Sequence, residues 1–143
     1  MIILDTNVAS EPYRPAPSAI VRAWLNSQPT DSLFLCSPVL AELQFGVERL
    51  PSSAQKKRLA AAIDELENDL YRDRILSFDA SAAKEFGRIM AERERIGRRI
   101  ELMDAQIAAI ALTHRAALAT RDTSGFANLG LQVINPFEAV TDR

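Results

Sequence analysis

Four acidic side chains stand where predicted strands end or predicted helices begin: Asp5, Glu42, Asp104 and Asp122. Asp5 directly follows the apolar run of residues 2–4, and Asp122 lies two residues beyond a strand that ends at Thr120. Parallel sheets bind ligands beyond the carboxyl ends of their strands, so both acids lie at the edge where chemistry is expected.

The other two acids belong to predicted helices that begin at the same edge. Glu42 lies near the start of the helix that follows strand 33–36, so its side chain can reach the carboxyl ends of the strands. Asp104 precedes Ile107 by three residues, which places it on the apolar and therefore inward face of its helix. Taken singly, each acid has a structural interpretation as a helix cap, a turn residue or a solvent-exposed side chain. The combination of four favours a functional site.

A cluster of carboxylates must either take up protons or bind a cation. Two carboxylates about 4 Å apart repel each other by about 4 kcal/mol at an effective dielectric constant of about 20. The chain has one histidine, His114, and one cysteine, Cys36, which excludes a histidine pair, a cysteine metal site and an internal disulfide. Oxygen ligands favour Mg²⁺ or Mn²⁺, which activates bound water and stabilises charge on a transferring phosphoryl group. The predicted chemistry is hydrolysis through metal-bound water held by the acidic cluster.

The elements that must position these acids alternate between strand and helix. The apolar runs predict strands at 2–4, 33–36, 75–78, 117–120 and 132–134, and helical spacing predicts helices at 18–27, 38–50, 53–70, 80–96 and 104–114. The segment Asp5-Thr6-Asn7 is predicted to be a polar loop. Such alternation requires crossover connections, so we predict an α/β fold with a parallel sheet of about five strands and helices on both faces.

Length and charge limit the remaining possibilities. A chain of 143 residues is expected to form a single domain, 1–143. Its net charge of −2 leaves no global positive field, so contact with nucleic acid would depend on a local basic patch. The sequence has no basic leader and no run of about 18 apolar residues, so we expect no membrane association and a cytoplasmic location.

Four short motifs occur in an order that resembles the PIN-domain ribonucleases, and above all the VapC/FitB-type toxins of type II toxin-antitoxin pairs. They are Leu4-Asp5-Thr6-Asn7, Ala41-Glu42-Leu43 with Gly46, Asp104-Ala105-Gln106-Ile107, and Thr120-Arg121-Asp122 with Phe126. The resemblance spans nearly the whole chain and implies a PIN-like sheet and a Mg²⁺- or Mn²⁺-dependent endoribonuclease that cleaves RNA. It also implies a cognate antitoxin encoded nearby, a homodimer within a larger toxin-antitoxin assembly, and contact with operator DNA only through the antitoxin.

Carried over residue by residue, the resemblance makes the four acids catalytic: Asp5, Glu42, Asp104 and Asp122. Asp5 and Asp104 are the expected metal ligands, and Thr6, Asn7 and Thr120 are expected to support them. Many relatives have an asparagine at the position of Asp122 and an acid at the position of Gly125. The fourth acid therefore stands three residues earlier in this chain than in those relatives, and this difference favours a single well-occupied ion.

Basic residues crowd the approach to Asp104. Arg98 and Arg99 lie in a predicted loop and are the candidates for binding RNA phosphates. Arg93 and Arg95 are open to two interpretations, RNA binding or a solvated helix face, because glutamates interleave with them.

Two other functions remain open from the residues. A phosphatase of the haloacid-dehalogenase kind would use Asp5 as nucleophile, but it requires a second aspartate two residues later, where this chain has Asn7. The alternative is a non-catalytic PIN-like module that binds RNA or a protein partner, and the presence of all four acids counts against it. The concentrated negative charge also suits an arginine from the antitoxin, which could bind two carboxylates and displace the cation.

Overall fold

The computed structural model describes residues 1–138 as an α/β fold built on one five-stranded sheet. The strands are β1 (Ile2–Leu4), β2 (Leu33–Cys36), β3 (Ile75–Leu76), β4 (Ala117–Ala119) and β5 (Val133–Ile134). All the strand pairings are parallel, with Ile2 opposite both Leu33 and Ala117. The predicted parallel sheet is confirmed. The last residues of the predicted domain, 139–143, lie outside the described residues.

Helices connect the strands in this part of the chain: α1 (Thr6–Ala9), α2 (Ala19–Ser27), α3 (Ser37–Glu48), α4 (Ala54–Glu65), α5 (Ala80–Arg95) and α6 (Leu102–Thr113). Ser18, Ser53 and Asp79 begin α2, α4 and α5, because each side chain accepts a hydrogen bond from a backbone N–H of the first turn. Among residues 1–138, no helix combines the length and apolar character needed to cross a membrane.

The strand order is β3-β2-β1-β4-β5, so the chain builds outward from one side of β1 and then returns to its other side. The order therefore reverses between β1 and β4, and sheets of this kind bind ligands in the crevice beyond the strand ends at such a reversal. Asp5 follows β1 and donates its N–H to the Ala119 carbonyl of β4 at 2.9 Å. The topology thus places the loops after β1 and β4 side by side.

The helix α6 lies at the centre of the core. Its residues 107–111 are fully buried, and the buried set also includes Ala105. A helix that is apolar on every side has neighbours all around it. Here α5 and α3 pack on α6, and the strand that follows α6 along the chain, β4, also contacts it. This packing gives the amino end of α6, which carries Asp104, a fixed place at the sheet edge.

Three predicted segments differ from the structure. The segment Asp5-Thr6-Asn7, predicted as a loop, opens a one-turn helix because the Asp5 carboxylate accepts a hydrogen bond from the Thr6 N–H at 2.8 Å and caps α1. The helix predicted at 53–70 consists of α4 followed by a wide π turn over Leu66–Leu70. The helix predicted to open at Asp104 begins two residues earlier, so this acid lies in its first turn.

Candidate active site

Asp5 is buried, and its carboxylate accepts three hydrogen bonds. Oδ1 accepts from the Thr6 N–H at 2.8 Å, while Oδ2 accepts from the Thr120 hydroxyl at 2.7 Å and from Asn7 Nδ2 at 3.4 Å. Burial raises the pKa of Asp5, the hydrogen bonds from Thr120 and Thr6 lower it, and the charge of Asp122 raises it. The three residues predicted to support Asp5 therefore surround its carboxylate.

The Thr120 hydroxyl links the segments that follow β1 and β4. It is fully buried, and besides donating to Asp5 it accepts from the Asp122 N–H at 3.0 Å and from Asn7 Nδ2 at 3.4 Å. Asn7 Oδ1 in turn accepts from the Arg121 N–H at 3.1 Å. Because one hydroxyl contacts both segments, the backbone at Asp122 is tied to the position of Asp5.

Glu42 reaches the site from the second turn of α3. Its Oε1 is buried and forms no hydrogen bond within residues 1–138, and the same holds for Thr6 Oγ1. Burial raises the pKa of Glu42, the nearby Thr6 hydroxyl opposes the rise, and the charge of Asp5 adds to it. A buried polar atom without a partner costs about 1 to 3 kcal/mol. Thr6 and Glu42 line the same groove, so a ligand bound there could supply a partner to both oxygens.

Asp104 lies in the first turn of α6, partly buried. No side-chain hydrogen bond caps this helix, whose cap position is Glu101, so the structural interpretation of Asp104 as a cap is wrong. Burial, together with the charges of Asp5, Glu42, Asp122 and Glu101, raises the pKa of Asp104 to about 6. The other three acids therefore lie within electrostatic reach of Asp104.

Asp122 comes from an exposed loop that follows β4. Its Oδ1 accepts hydrogen bonds from the Gly125 N–H at 3.0 Å and from the Ser124 hydroxyl at 3.3 Å. A β-carbon at position 125 would lie only 2.3 Å from Asp122 Oδ2. A side chain at position 125 would therefore displace the Asp122 carboxylate from its place against the Gly125 N–H.

The donor atoms suit a hard divalent cation that keeps much of its water. Across residues 1–138, no three His, Cys, Asp or Glu side chains are placed to hold a metal ion together. Mg²⁺ is usually held by one or two protein carboxylates and retains several water ligands, so it does not require three. The carboxylates that could hold such an ion are those of Asp5 and Asp104, and Glu42 is close enough for its charge to act on Asp104 and to be acted on by Asp5.

The two arginines predicted to bind RNA lie between α5 and α6. Arg98 and Arg99 line a groove of about 570 Å³ together with residues from the ends of both helices. Arg99 is exposed, whereas Arg98 is half-buried and donates from Nη2 to the Ser124 carbonyl at 2.6 Å. Arg98 therefore contacts the loop that bears Asp122.

The surroundings of Arg93 match neither of the two interpretations that the sequence left open, RNA binding or a solvated helix face. It is only 2 % exposed, and its Nη2 donates to the carbonyls of Gly125 at 3.2 Å and of Ala127 at 2.8 Å. The signal that could have revealed this is its spacing of four residues from Ile89, which places Arg93 on the buried face of α5. The interleaved glutamates obscured that signal.

The match to a known family agrees with this sheet and its acidic edge. Residues 2–131 match the model of the PIN domain. The chain belongs to the PIN domain family.

The chain is also similar to individual proteins over nearly its full length. It is 40 % identical to the plasmid stability protein StbB of Pseudomonas syringae pv. tomato, over 97 % of this chain and 100 % of the relative. It is 38 % identical to the VapC ribonuclease Y4jK of Sinorhizobium fredii, over 96 % of this chain and 99 % of the relative. The toxin FitB of Neisseria gonorrhoeae is likewise 38 % identical, with 96 % and 99 % covered. The structure of FitAB bound to an IR36 DNA fragment matches at a TM-score of 0.91 and 36 % identity, with 100 % of both chains covered.

Proposed function

We propose that this protein is the toxin of a toxin-antitoxin pair and acts as an endoribonuclease that depends on Mg²⁺ or Mn²⁺. The observation that carries the proposal is the convergence of four acids at the reversal point of the sheet, where burial and the charges of its neighbours raise the pKa of Asp104 to about 6. The similarity to the VapC ribonuclease Y4jK and to the toxin FitB supports both parts of the proposal.

The acids and their neighbours have different roles in the proposed reaction. Asp5 and Asp104 hold the ion, and Glu42 is close enough for its charge to act on Asp104. When bound, a divalent cation of this kind activates water for attack on phosphorus and stabilises the charge that develops on the phosphoryl group. Thr120 holds the Asp5 carboxylate in one orientation, and Arg99 offers an exposed cation to the phosphates of the RNA.

The ends of the cleaved RNA test this mechanism. Hydrolysis through activated water leaves a 5′-phosphate and a 3′-hydroxyl, whereas attack by the 2′-hydroxyl leaves a cyclic phosphate. Purified protein is incubated with generic RNA in chelator and then with added Mg²⁺ or Mn²⁺, and the product ends are identified. We expect cleavage only with the ion, and 5′-phosphate ends. Cyclic phosphate ends, or undiminished cleavage in excess chelator, would reject the mechanism, and RNA binding without cleavage in either metal would favour a non-catalytic module.

The proposed partner is an antitoxin that covers the acidic edge and the groove beside it. This groove, of about 370 Å³, is lined by Thr6 and Glu42 and by apolar side chains of α3 and α4, among them Leu43, Val47, Leu59 and Ile63. Phe45 on α3 is 65 % exposed. A segment of the antitoxin with apolar side chains and an arginine would bury the groove and neutralise the carboxylates together.

The proposed assembly contains a homodimer of this chain with its antitoxin. This chain has a net charge of −2, which gives it little attraction for DNA. Contact with operator DNA is therefore proposed to occur through the antitoxin alone. The FitAB complex bound to a DNA fragment supports an assembly of this kind.

A further inference from the structure

Two arginine side chains donate hydrogen bonds to backbone carbonyls of the loop that follows β4. Arg93 reaches it from the last turns of α5, and its Nη2 donates to the carbonyls of Gly125 at 3.2 Å and Ala127 at 2.8 Å. Arg98, from the segment between α5 and α6, donates to the Ser124 carbonyl at 2.6 Å. Both cations therefore bind the backbone of residues 124–127.

One peptide unit connects Arg98 to the Asp122 carboxylate. The Ser124 carbonyl and the Gly125 N–H belong to the same planar trans peptide group, so they point in opposite directions. Arg98 binds the carbonyl end, and the N–H end donates to Asp122 Oδ1 at 3.0 Å. Arg93 binds the next carbonyl, that of Gly125. Holding these two carbonyls fixes the direction of the N–H that orients Asp122.

The burial of Arg93 is not explained by stability alone. Burial lowers the pKa of its guanidinium, the charge of Arg98 lowers it further, and its Nε has no hydrogen-bond partner within residues 1–138. None of the ion pairs in this part of the chain involves Arg93. A buried charge without a carboxylate partner is costly, and an apolar side chain of similar size is often neutral or stabilising in its place.

We infer that Arg93 and Arg98 are positioning residues for Asp122 and act through the backbone of residues 124–127. The inference rests on the proposed function, because the placement of Asp122 affects catalysis only if the acids act on RNA. It assigns Arg98 a role different from the RNA contact expected from its place in the sequence.

Steady-state kinetics separate positioning from RNA binding. Arg93→Met and Arg98→Met are each expected to lower kcat by about ten- to a hundredfold, the loss typical of a misplaced catalytic group, with KM for RNA nearly unchanged. Loss of a phosphate contact would instead raise KM and reduce its salt dependence. Arg88→Met is the matched control, because Arg88 lies on the same helix, is exposed and pairs with Glu85. Its kcat and KM are expected to equal those of the wild type.

Thermal unfolding separates positioning from a purely structural role. Removal of the costly buried charge offsets the loss of its two hydrogen bonds, so Arg93→Met is expected to keep a Tm close to that of the wild type while kcat falls. A fall in Tm that matches the loss of activity, together with recovery of kcat on cooling, would assign the residue to stability and overturn the inference for Arg93.

The Gly125 amide provides a readout that needs neither RNA nor metal. In the wild type this N–H donates to Asp122, so we expect Arg98→Met to shift its NMR resonance and to speed its hydrogen exchange by about tenfold, while the amides of α6 are unchanged. If the wild type cleaves no RNA, the proposed function fails and this measurement still tests the positioning. An unchanged Gly125 amide in both arginine variants overturns the inference.

A double-mutant cycle tests whether Arg98 acts through the carboxylate. In an Asp122→Ala background, Arg98→Met is expected to cause no further loss of kcat, because the group that it positions is absent. Additive losses would place its action elsewhere. Gly125→Ala adds a β-carbon 2.3 Å from Asp122 Oδ2 and is expected to reproduce the loss of kcat with both arginines intact.

Discussion

Asp104→Asn tests the acidic edge most directly, because it removes a charge and keeps the shape of the side chain. The rise of the Asp104 pKa from 3.8 to about 6 corresponds to about 3 kcal/mol of destabilisation of the folded state at pH 7. Solvent screening of this partly exposed group reduces the effect to about 1 to 2 kcal/mol. Without metal, we therefore expect the variant to melt about 3 to 7 °C above the wild type at pH 7.

The same reasoning predicts how this difference depends on pH. A carboxyl group whose pKa is raised on folding costs the wild type stability as the pH rises from about 4 to about 6, since the folded state holds the proton longer. Asparagine does not titrate. We expect most of the difference in Tm to be gone at pH 4, where the Asp104 side chain is neutral in the folded state.

Addition of Mn²⁺ should reverse the order of the two melting temperatures. A ligand that binds only the folded state at a hundred times its Kd adds about 2.7 kcal/mol of stability, and we expect only the wild type to gain it. Cleavage of RNA by Asp104→Asn is expected to fall by about a hundredfold or more, as when one group that stabilises the transition state is lost.

Scanning calorimetry in chelator and in Mn²⁺, together with a cleavage assay on labelled RNA, measures both effects. Asp64→Asn is the matched control, because Asp64 is an exposed aspartate on α4 whose charge is not among those that raise the Asp104 pKa, and it is expected to change neither quantity much. The assignment of Asp104 to the metal site is refuted if Asp104→Asn keeps full activity, or if Mn²⁺ raises its Tm as much as that of the wild type.

Three further predictions concern the same edge. Because Asp104 must lose its proton to bind a cation, the Kd for Mn²⁺ measured by calorimetry is expected to rise about tenfold between pH 7 and pH 5, and a constant Kd would contradict its role. Thr120→Val removes the hydroxyl that donates to Asp5 and is expected to lower the free energy of unfolding in urea by about 2 kcal/mol, against at most about 0.5 kcal/mol for the exposed control Thr113→Val. Asp5→Asn and Glu42→Gln are expected to weaken binding of the antitoxin, the neighbouring gene's product, in titration calorimetry. Mg²⁺ is expected to compete with the antitoxin at constant ionic strength. Unchanged affinity in both variants would place the antitoxin contact elsewhere.

The spacing of apolar and polar residues is enough to predict which segments form the sheet and at which ends the acids stand. Short apolar runs bounded by polar residues predict strands, and each of the five predicted strands is present, with β1, β2 and β4 mostly buried and the edge strands β3 and β5 partly buried. The end of a strand and the inward face of a helix are local properties of spacing, so Asp5 and Asp104 could be placed before any fold was known. The extent of α1 could not, because it depends on where the Asp5 carboxylate points.

Which side chains meet depends on how the segments pack in three dimensions. The strand order places β4 beside β1, so the Thr120 hydroxyl reaches Asp5 across 115 positions of the chain. Arg93 has charged neighbours in sequence, yet the carbonyls that it binds come from residues 32 and 34 positions away. Spacing predicts what each segment can form, because backbone geometry acts over a few residues. Hydrogen bonds and desolvation depend on distance in space, and for these residues the packing of segments far apart in sequence sets that distance.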